Sequence, residues 1–208
     1  MKYVKWKILT VTCVVSILPV FLGIGLWSRL PDTIAIHFNM YNQPDNFASK
    51  GFVVLGLPVL MLVLQVICCV ISDLNAVRYG DPKKVVTIAK WIIPVMSVVL
   101  HTATLFYSMG IAVDIRCVAM LVVGMMFLIL GNYTPKLDHI KNYDIEPHKA
   151  RKINRFMGKS MVVLGMLAVI SVFLNPVYSL IWLVLLISFV AVGVIYAIRV
   201  VRRDEKNS

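Results

Sequence analysis

Hydrophobic blocks of about 20 residues alternate with short polar segments along the chain. A helix rises about 1.5 Å per residue, so blocks of this length match the roughly 30 Å hydrocarbon core of a bilayer. Backbone groups in hydrocarbon must be paired within the protein, and no alternation typical of membrane strands occurs. The pattern therefore predicts an all-α integral membrane protein, a bundle of about six transmembrane helices over residues 8–27, 52–71, 91–112, 113–133, 156–174 and 177–198.

The 21 Lys and Arg residues are distributed unevenly among the connecting segments. In the six-span order, 18 of them lie on the side that holds both termini, and only Arg29, Lys50 and Arg116 lie on the other. This bias predicts that the N- and C-termini are cytoplasmic, with Lys90 counted in the inner segment before the third span. Membrane topology and attraction to anionic lipid account for the net charge of +11, so the bilayer is the expected partner and direct nucleic-acid binding is not expected.

Composition changes this picture little. The chain is 60% hydrophobic and 15% charged, whereas about 25% charged residues is typical of soluble domains. Its four cysteines fall in or beside apolar blocks, without a disulfide framework or a metal-binding spacing, so no metal or cofactor is expected. Nucleophile-elbow, Walker and dinucleotide-binding motifs do not occur, and the protein is therefore not expected to be an enzyme.

The outer loop, residues 28–51, is the longest segment on its side of the membrane. An Ile/Ala/Ile/Phe run predicts a short strand from Thr33 to Phe38, and residues 42–45 carry a turn signal. A loop this apolar is expected to pack against the ends of the helices. Its candidate ligand-binding residues are His37, Phe38, Asn39 and Asp45.

Two histidines, His37 and His101, are candidates for metal binding, ligand binding or proton transfer. His37, with Asp32 and Asp45, has either a structural role or, as the alternative, forms a metal or acid–base site, although the spacing matches no metalloenzyme motif. His101 lies near the middle of the third span, where an ionisable group is costly. It is either a neutral structural residue bonded to Thr102, Thr104, Gln65 or a backbone carbonyl, or a proton-relay or ligand-binding residue.

Two stretches resemble known families. The segment LPDTIAIHFNMYNQPDNFASK, residues 30–50, looks like the DUF1648 pattern, and GNYTPKLDHIKNYDI followed by NRFMGK is similar to the C-terminal half of SdpI-type bacterial immunity proteins. The resemblance divides a single membrane domain into residues 1–112, with outer loop 28–51, and residues 113–208, with inner loop 134–159. The family's tryptophan-containing segment before the last motif has no counterpart here. The matching inner-loop residues are Gly131, Asn132, Pro135, Lys136 and Arg155.

The resemblance implies a multi-pass protein of the bacterial cytoplasmic membrane that gives resistance to a secreted toxic peptide. It also implies a signalling role in which a cytoplasmic transcriptional repressor is held at the membrane, with the basic inner loop as its docking site. A small transporter is the alternative, suggested by His101 and by prolines at positions 19, 58 and 94 in three spans. A membrane-embedded enzyme is the second alternative, suggested only by His37 and its acidic neighbours.

Overall fold

The computed structural model describes residues 3–137, 139–140 and 145–205, with side chains described up to Arg202. This part of the chain contains six helices that are long and apolar enough to cross a membrane. The prediction of an all-α multi-pass membrane protein is therefore confirmed. The helices are α1 (Trp6–Gly25), α2 (Leu57–Tyr79, preceded by a π-helical turn at Phe52–Gly56), α3 (Lys83–Ser108), α4 (Ile115–Tyr133), α5 (Pro147–Ser171) and α6 (Val177–Glu205).

Four helices, α2, α3, α5 and α6, extend well beyond their predicted ends, and α6 ends at Glu205 instead of residue 198. The second span was expected to end at residue 71 and the third to begin at residue 91, but only residues 80–82 separate α2 from α3. The fifth was expected to begin at residue 156, whereas α5 begins at Pro147. A span predicted from hydropathy ends at the first charged residue. The helix itself continues, because Lys and Arg are good helix formers and proline suits a first helical turn. The family-motif tyrosine and its neighbours at positions 142–144 lie outside the described residues.

A short β-hairpin interrupts the helical pattern between α1 and α2. Strand β1 (Thr33–Phe38) pairs antiparallel with β2 (Pro44–Ser49), so the predicted strand and turn are confirmed. The hairpin is fixed to the helix ends by an apolar cluster, as expected for so apolar a loop. The buried members of this cluster are Leu30, Ile34, Val53, Val54 and Leu105.

The chain forms two compact units. The first comprises residues 1–74 and 86–122, which include α1, the hairpin, and most of α2 and α3. Helix α1 runs antiparallel to α2. Gly23 of α1 allows close approach to the π-helical turn that precedes α2, because a Cβ at Gly23 would lie 2.7 Å from Cγ1 of Val54. The end of this unit that carries β1 and β2 is called the sheet end below.

The second unit comprises residues 75–85 and 123–208. Helices α5 and α6 form an antiparallel hairpin. At one level Trp182 Nε1 donates a 2.7 Å hydrogen bond to the Leu164 carbonyl, and at another the rings of Phe156 and Tyr196 stack with centroids 4.2 Å apart. This aromatic stack lies next to the beginning of the apolar part of α5.

Candidate ligand-binding site

The hairpin presents a polar pair on its exposed side. The pairing register shifts between Ala35 and Phe38, and such bulges change the direction in which side chains point. His37 Nδ1 lies 2.5 Å from an oxygen of Asp45, and both side chains are largely exposed. Asp32, expected as the third member of a possible metal site, instead pairs with Lys50 at 3.3 Å. Among the described residues, no group of three His, Cys, Asp or Glu side chains is placed to hold a metal.

Asn39 organises the turn of the hairpin. Its side-chain oxygen accepts hydrogen bonds from the backbone N–H groups of Tyr41 and Gln43, at 2.9 and 3.0 Å. Phe38 packs edge-to-face against Tyr107 of α3, with ring centroids 4.8 Å apart. Two of the predicted ligand-binding residues thus have contacts that hold the loop in place.

Asn42, which the sequence reasoning treated only as a turn residue, connects the hairpin tip to α4. It has a positive φ of 59°, a conformation that asparagine tolerates better than most residues. Its amide donates to the Val113 carbonyl at 3.0 Å and accepts from the Ile115 N–H at 2.9 Å. Asp114, whose side chain accepts from the Cys117 N–H at 2.9 Å, caps the same helix.

Lys50 holds the far end of β2 against the end of α1. Its ammonium lies 5.4 Å from the ring centroid of Trp27 and donates to the Trp27 carbonyl at 3.4 Å. The backbone N–H of Lys50 also donates to the Asp32 carbonyl at 2.8 Å. The hairpin is therefore anchored both at its tip and at its base.

A cavity of about 250 Å³ lies beneath the hairpin in the first unit. Its wall is mainly apolar, with three polar side chains on the α3 side. The lining residues are Ile36, Val53, Leu57, Met61, Met96, Ser97, Leu100, His101 and Thr104. Ile36 contributes from β1 while remaining 40% exposed, so the hairpin forms part of the cavity wall.

His101 is buried in this wall with an unused polar atom. Its Nε2 has no hydrogen-bond partner within the described parts of the chain. The expected partner Gln65 instead donates to the Lys90 carbonyl at 2.9 Å and to Cys69 Sγ at 3.1 Å. The structure does not supply the partner expected for Nε2, and the structural and ligand-binding interpretations of His101 both stay predictions.

Polar side chains continue from the cavity through the interior of the first unit. The Ser97 hydroxyl donates to the Ser16 carbonyl at 2.8 Å, and the Ser16 hydroxyl donates to the Thr12 carbonyl at 2.9 Å. The Thr12 hydroxyl lies 3.6 Å from Cys69 Sγ, which accepts the Gln65 amide. We refer to Thr12, Ser16, Gln65, Cys69, Asp73, Lys90, Ser97 and His101 as the polar column.

The polar column includes a buried ion pair that the sequence reasoning missed. Lys90 Nζ lies 2.6 Å from a carboxylate oxygen of Asp73, and the two side chains are 0% and 1% exposed. The other Asp73 oxygen accepts the backbone N–H of Lys5 at 2.9 Å. Lys90 was assigned to a loop before the third span, but it lies inside α3.

A sequence signal for the polar column was present. Gln65, Cys69 and Asp73 recur every four residues, as do Thr12 and Ser16, and such spacing places side chains on one face of a helix. Asp73 follows the predicted second span and Lys90 precedes the predicted third span, so hydropathy alone assigned both charges to the connecting segment and concealed the stripe. Buried charges between membrane helices are uncommon and mark functional positions by default.

The inner-loop motif residues lie in the second unit and divide into two groups. A Cβ on Gly131 would lie 2.7 Å from the Gly158 carbonyl oxygen, and one on Gly158 would lie 2.6 Å from the Pro135 ring. These residues let α4 and α5 approach closely. Asn132, Lys136 and Arg155 are exposed, and the Lys136 ammonium lies 3.9 Å from the ring centroid of Tyr133.

Residues 14–62 match the model of a family described as a domain of unknown function, DUF1648. The matched segment contains most of α1, the whole hairpin and the start of α2, which agrees with the resemblance seen in the loop sequence. No curated protein and no solved structure matches the chain. The chain is thus a membrane-spanning helical protein with a DUF1648 segment.

Proposed function

We propose that the protein is a bacterial cell-membrane receptor that gives immunity to a secreted toxic peptide and binds this peptide at the sheet end. The observation that carries the proposal is the cavity under the hairpin, in which the buried His101 offers an unused nitrogen. The similarity to SdpI-type immunity proteins in the second half of the chain supports the same function. The DUF1648 match is neutral, because that family has no known function.

The surface around the cavity suits a peptide. Tyr41 and Phe47 belong to the hairpin segment, outside the spanning helices, and are 57% and 53% exposed. Aromatic side chains surrounded by a few polar groups are typical of interface cores, and the His37–Asp45 pair supplies such groups. At about 250 Å³ the cavity is smaller than the sites that enclose a whole small molecule, so it takes one bulky side chain of a larger ligand.

The proposal requires the hairpin to face the exterior. The bias of Lys and Arg supports this orientation. Reporter fusions after Asp45 and after Asn175 should be external, whereas fusions after Lys84, Lys149 and Lys206 should be cytoplasmic. An external reporter at Lys149 would contradict the six-span orientation.

The proposal is tested by deleting the gene and challenging the deletion strain with culture supernatant of its parent strain, which secretes the peptide under the proposal. Plasmid-borne wild type should restore survival. Leu100→Phe, which places an aromatic ring in the cavity wall, should restore less survival, because the peptide side chain loses part of its space. Val99→Phe is the matched control, since Val99 is exposed on the neighbouring position of α3 and does not line the cavity.

Equal protection by both variants, at equal membrane abundance, would rule out the cavity as the binding site. Equal survival of the deletion strain and its parent would contradict the immunity function itself.

A proton-coupled transporter is the second candidate, favoured by the buried Asp73–Lys90 pair. Intramembrane carboxylates form proton relays in many transporters. Purified protein in vesicles containing a pH-sensitive dye should then acidify the interior when a membrane potential is imposed, and Asp73→Asn should abolish the signal. Wild-type vesicles that acidify no faster than protein-free vesicles would exclude a proton pathway through this pair that operates without a co-transported substrate.

A further inference from the structure

A second cavity, in the second unit, is lined mostly by cations. It has a volume of about 510 Å³ and opens between α5 and α6. Its lining includes Arg151, Lys152, Arg155, Phe156, Lys159 and Tyr196. Lys152, Arg155 and Lys159 follow one another at intervals of three and four residues, which places them on one face of α5. We refer to this cavity as the basic pocket.

No carboxylate in the part of the chain with described side chains pairs with the cations of the basic pocket. Within the described residues, neither Arg151, Lys152, Arg155 nor Lys159 forms an ion pair. The nearby carboxylate of Glu146 contacts His148 at 3.0 Å and Lys149 at 3.6 Å instead. Four neighbouring cations repel one another, so an anion that enters the pocket relieves this repulsion as well as forming new contacts.

The basic pocket lies where α5 and α6 change from apolar to charged sequence. The uninterrupted apolar part of α5 begins after Lys159, and that of α6 ends before Arg199. Tyr196, stacked on Phe156, belongs to the same level, and tyrosine is enriched at the depth of lipid headgroups. The cations are therefore placed at the level of lipid phosphates.

Apolar surface continues directly from the basic pocket along both helices. Val163 stands four residues after Lys159 and is 52% exposed, while Val192 stands four residues before Tyr196 and is 51% exposed. A soluble anion makes no apolar contact with this surface, whereas the acyl chains of a lipid can lie on it. The combination of phosphate-binding cations and adjacent exposed valines favours a lipid over free phosphate.

We propose that the basic pocket is a specific site for an anionic phospholipid, with Arg151 and Arg155 binding the phosphate and Lys152 and Lys159 completing the charge. Arginine binds phosphate oxygens through paired N–H groups, whereas lysine acts as a point charge. Basic pockets between transmembrane helices bind anionic headgroups in this way. The cytoplasmic repressor suggested by the family resemblance is a different ligand for the same basic segment. This inference is independent of the ligand bound at the sheet end.

The test measures lipid binding to the purified full-length chain in neutral detergent by its thermal unfolding during titration with phosphatidylglycerol, phosphatidylcholine or inorganic phosphate. We expect only phosphatidylglycerol to stabilise the protein at low concentration. Arg155→Gln with Lys159→Gln should weaken the apparent affinity about thirtyfold, equivalent to about 2 kcal/mol for two cations. Arg199→Gln with Arg202→Gln is the matched control, because it removes two exposed cations from α6 that do not line the pocket.

The control pair should change the affinity by less than about threefold. If the Arg155/Lys159 variant does not fold, Arg151→Gln with Lys152→Gln takes its place and should weaken the affinity to a similar extent. Equal stabilisation by the two phospholipids, or equal losses in the pocket and control variants, would overturn the proposal. Stabilisation by inorganic phosphate at the same concentration would show a site for a soluble anion and also overturn it.

Discussion

The two units bury different kinds of residue in the same kind of solvent. The interior of the first contains hydroxyl, amide and charged groups, including Asp73 and Lys90 at 1% and 0% exposure. The second packs α4 against α5 through glycines, where Gly124 opposes Gly165 and Gly131 opposes Gly158. Lipid tails are as apolar as leucine, so membrane helices associate through close packing and hydrogen bonds. Since the second unit is held by glycine contacts, aromatic contacts and neutral hydrogen bonds, the buried ion pair of the first unit is a candidate for a role beyond assembly.

The comparison is tested most severely by breaking the buried ion pair. Lys90→Leu leaves the Asp73 carboxylate buried without its cation and should destabilise the protein by about 3–5 kcal/mol. Removing both charges in Asp73→Leu/Lys90→Leu should recover most of this loss in thermal unfolding. A double variant that is stable but gives no immunity would assign the pair to function. Full activity of the stable double variant would reduce it to a structural element.

The glycine contacts of the second unit should respond to a single methyl group. Gly131→Ala brings a Cβ within 2.7 Å of the Gly158 carbonyl oxygen and should cost about 1–3 kcal/mol through overpacking. Gly51→Ala is the control, because nothing lies within 4 Å of a Cβ at that position. Thermal unfolding of both variants measures the difference, and equal midpoints would show that α4 and α5 are not held by this close contact.

Substitution of His101 should have a different effect from substitution of the buried ion pair or of the packed glycines. Its Nε2 has no partner among the described residues, so His101→Leu removes an unsatisfied group and should keep or raise stability by up to about 1 kcal/mol. Immunity should be lost, because the ligand loses a hydrogen bond inside the cavity. His101→Gln should retain part of the response. Strong destabilisation by leucine, with glutamine tolerated, would support the purely structural interpretation of His101.

The smallest effect on stability is expected at the hairpin surface. His37 and Asp45 are exposed, and exposed ion pairs contribute less than about 1 kcal/mol. Their joint replacement by alanine should leave membrane abundance unchanged and reduce protection against the supernatant. A variant that protects fully would remove this pair from the binding surface, even if the Leu100→Phe result supports the cavity.

The sequence was sufficient for the spans and for much of the hairpin. Six apolar blocks gave six helices, and the Ile/Ala/Ile/Phe run gave β1 with its observed bounds. Hydropathy failed where a charge is paired inside the membrane, because it scores Lys90 as if the residue faced water. The cavity and the basic pocket depend on how separate helices pack, which local periodicity does not determine. Gly131 and Pro135 were recognised as motif residues, but their packing role required the position of Gly158.

The contact between Lys50 and Trp27 provides an intrinsic fluorescence probe of the sheet end. The chain has four tryptophans, and one of them lies under an ammonium group at the base of β2. Indole emission depends on nearby charge, so a ligand that moves Lys50 relative to the Trp27 ring should change the fluorescence of Trp27. A variant in which Trp6, Trp91 and Trp182 are phenylalanine would therefore report occupancy of the sheet end directly, without a label and before the ligand is chemically identified.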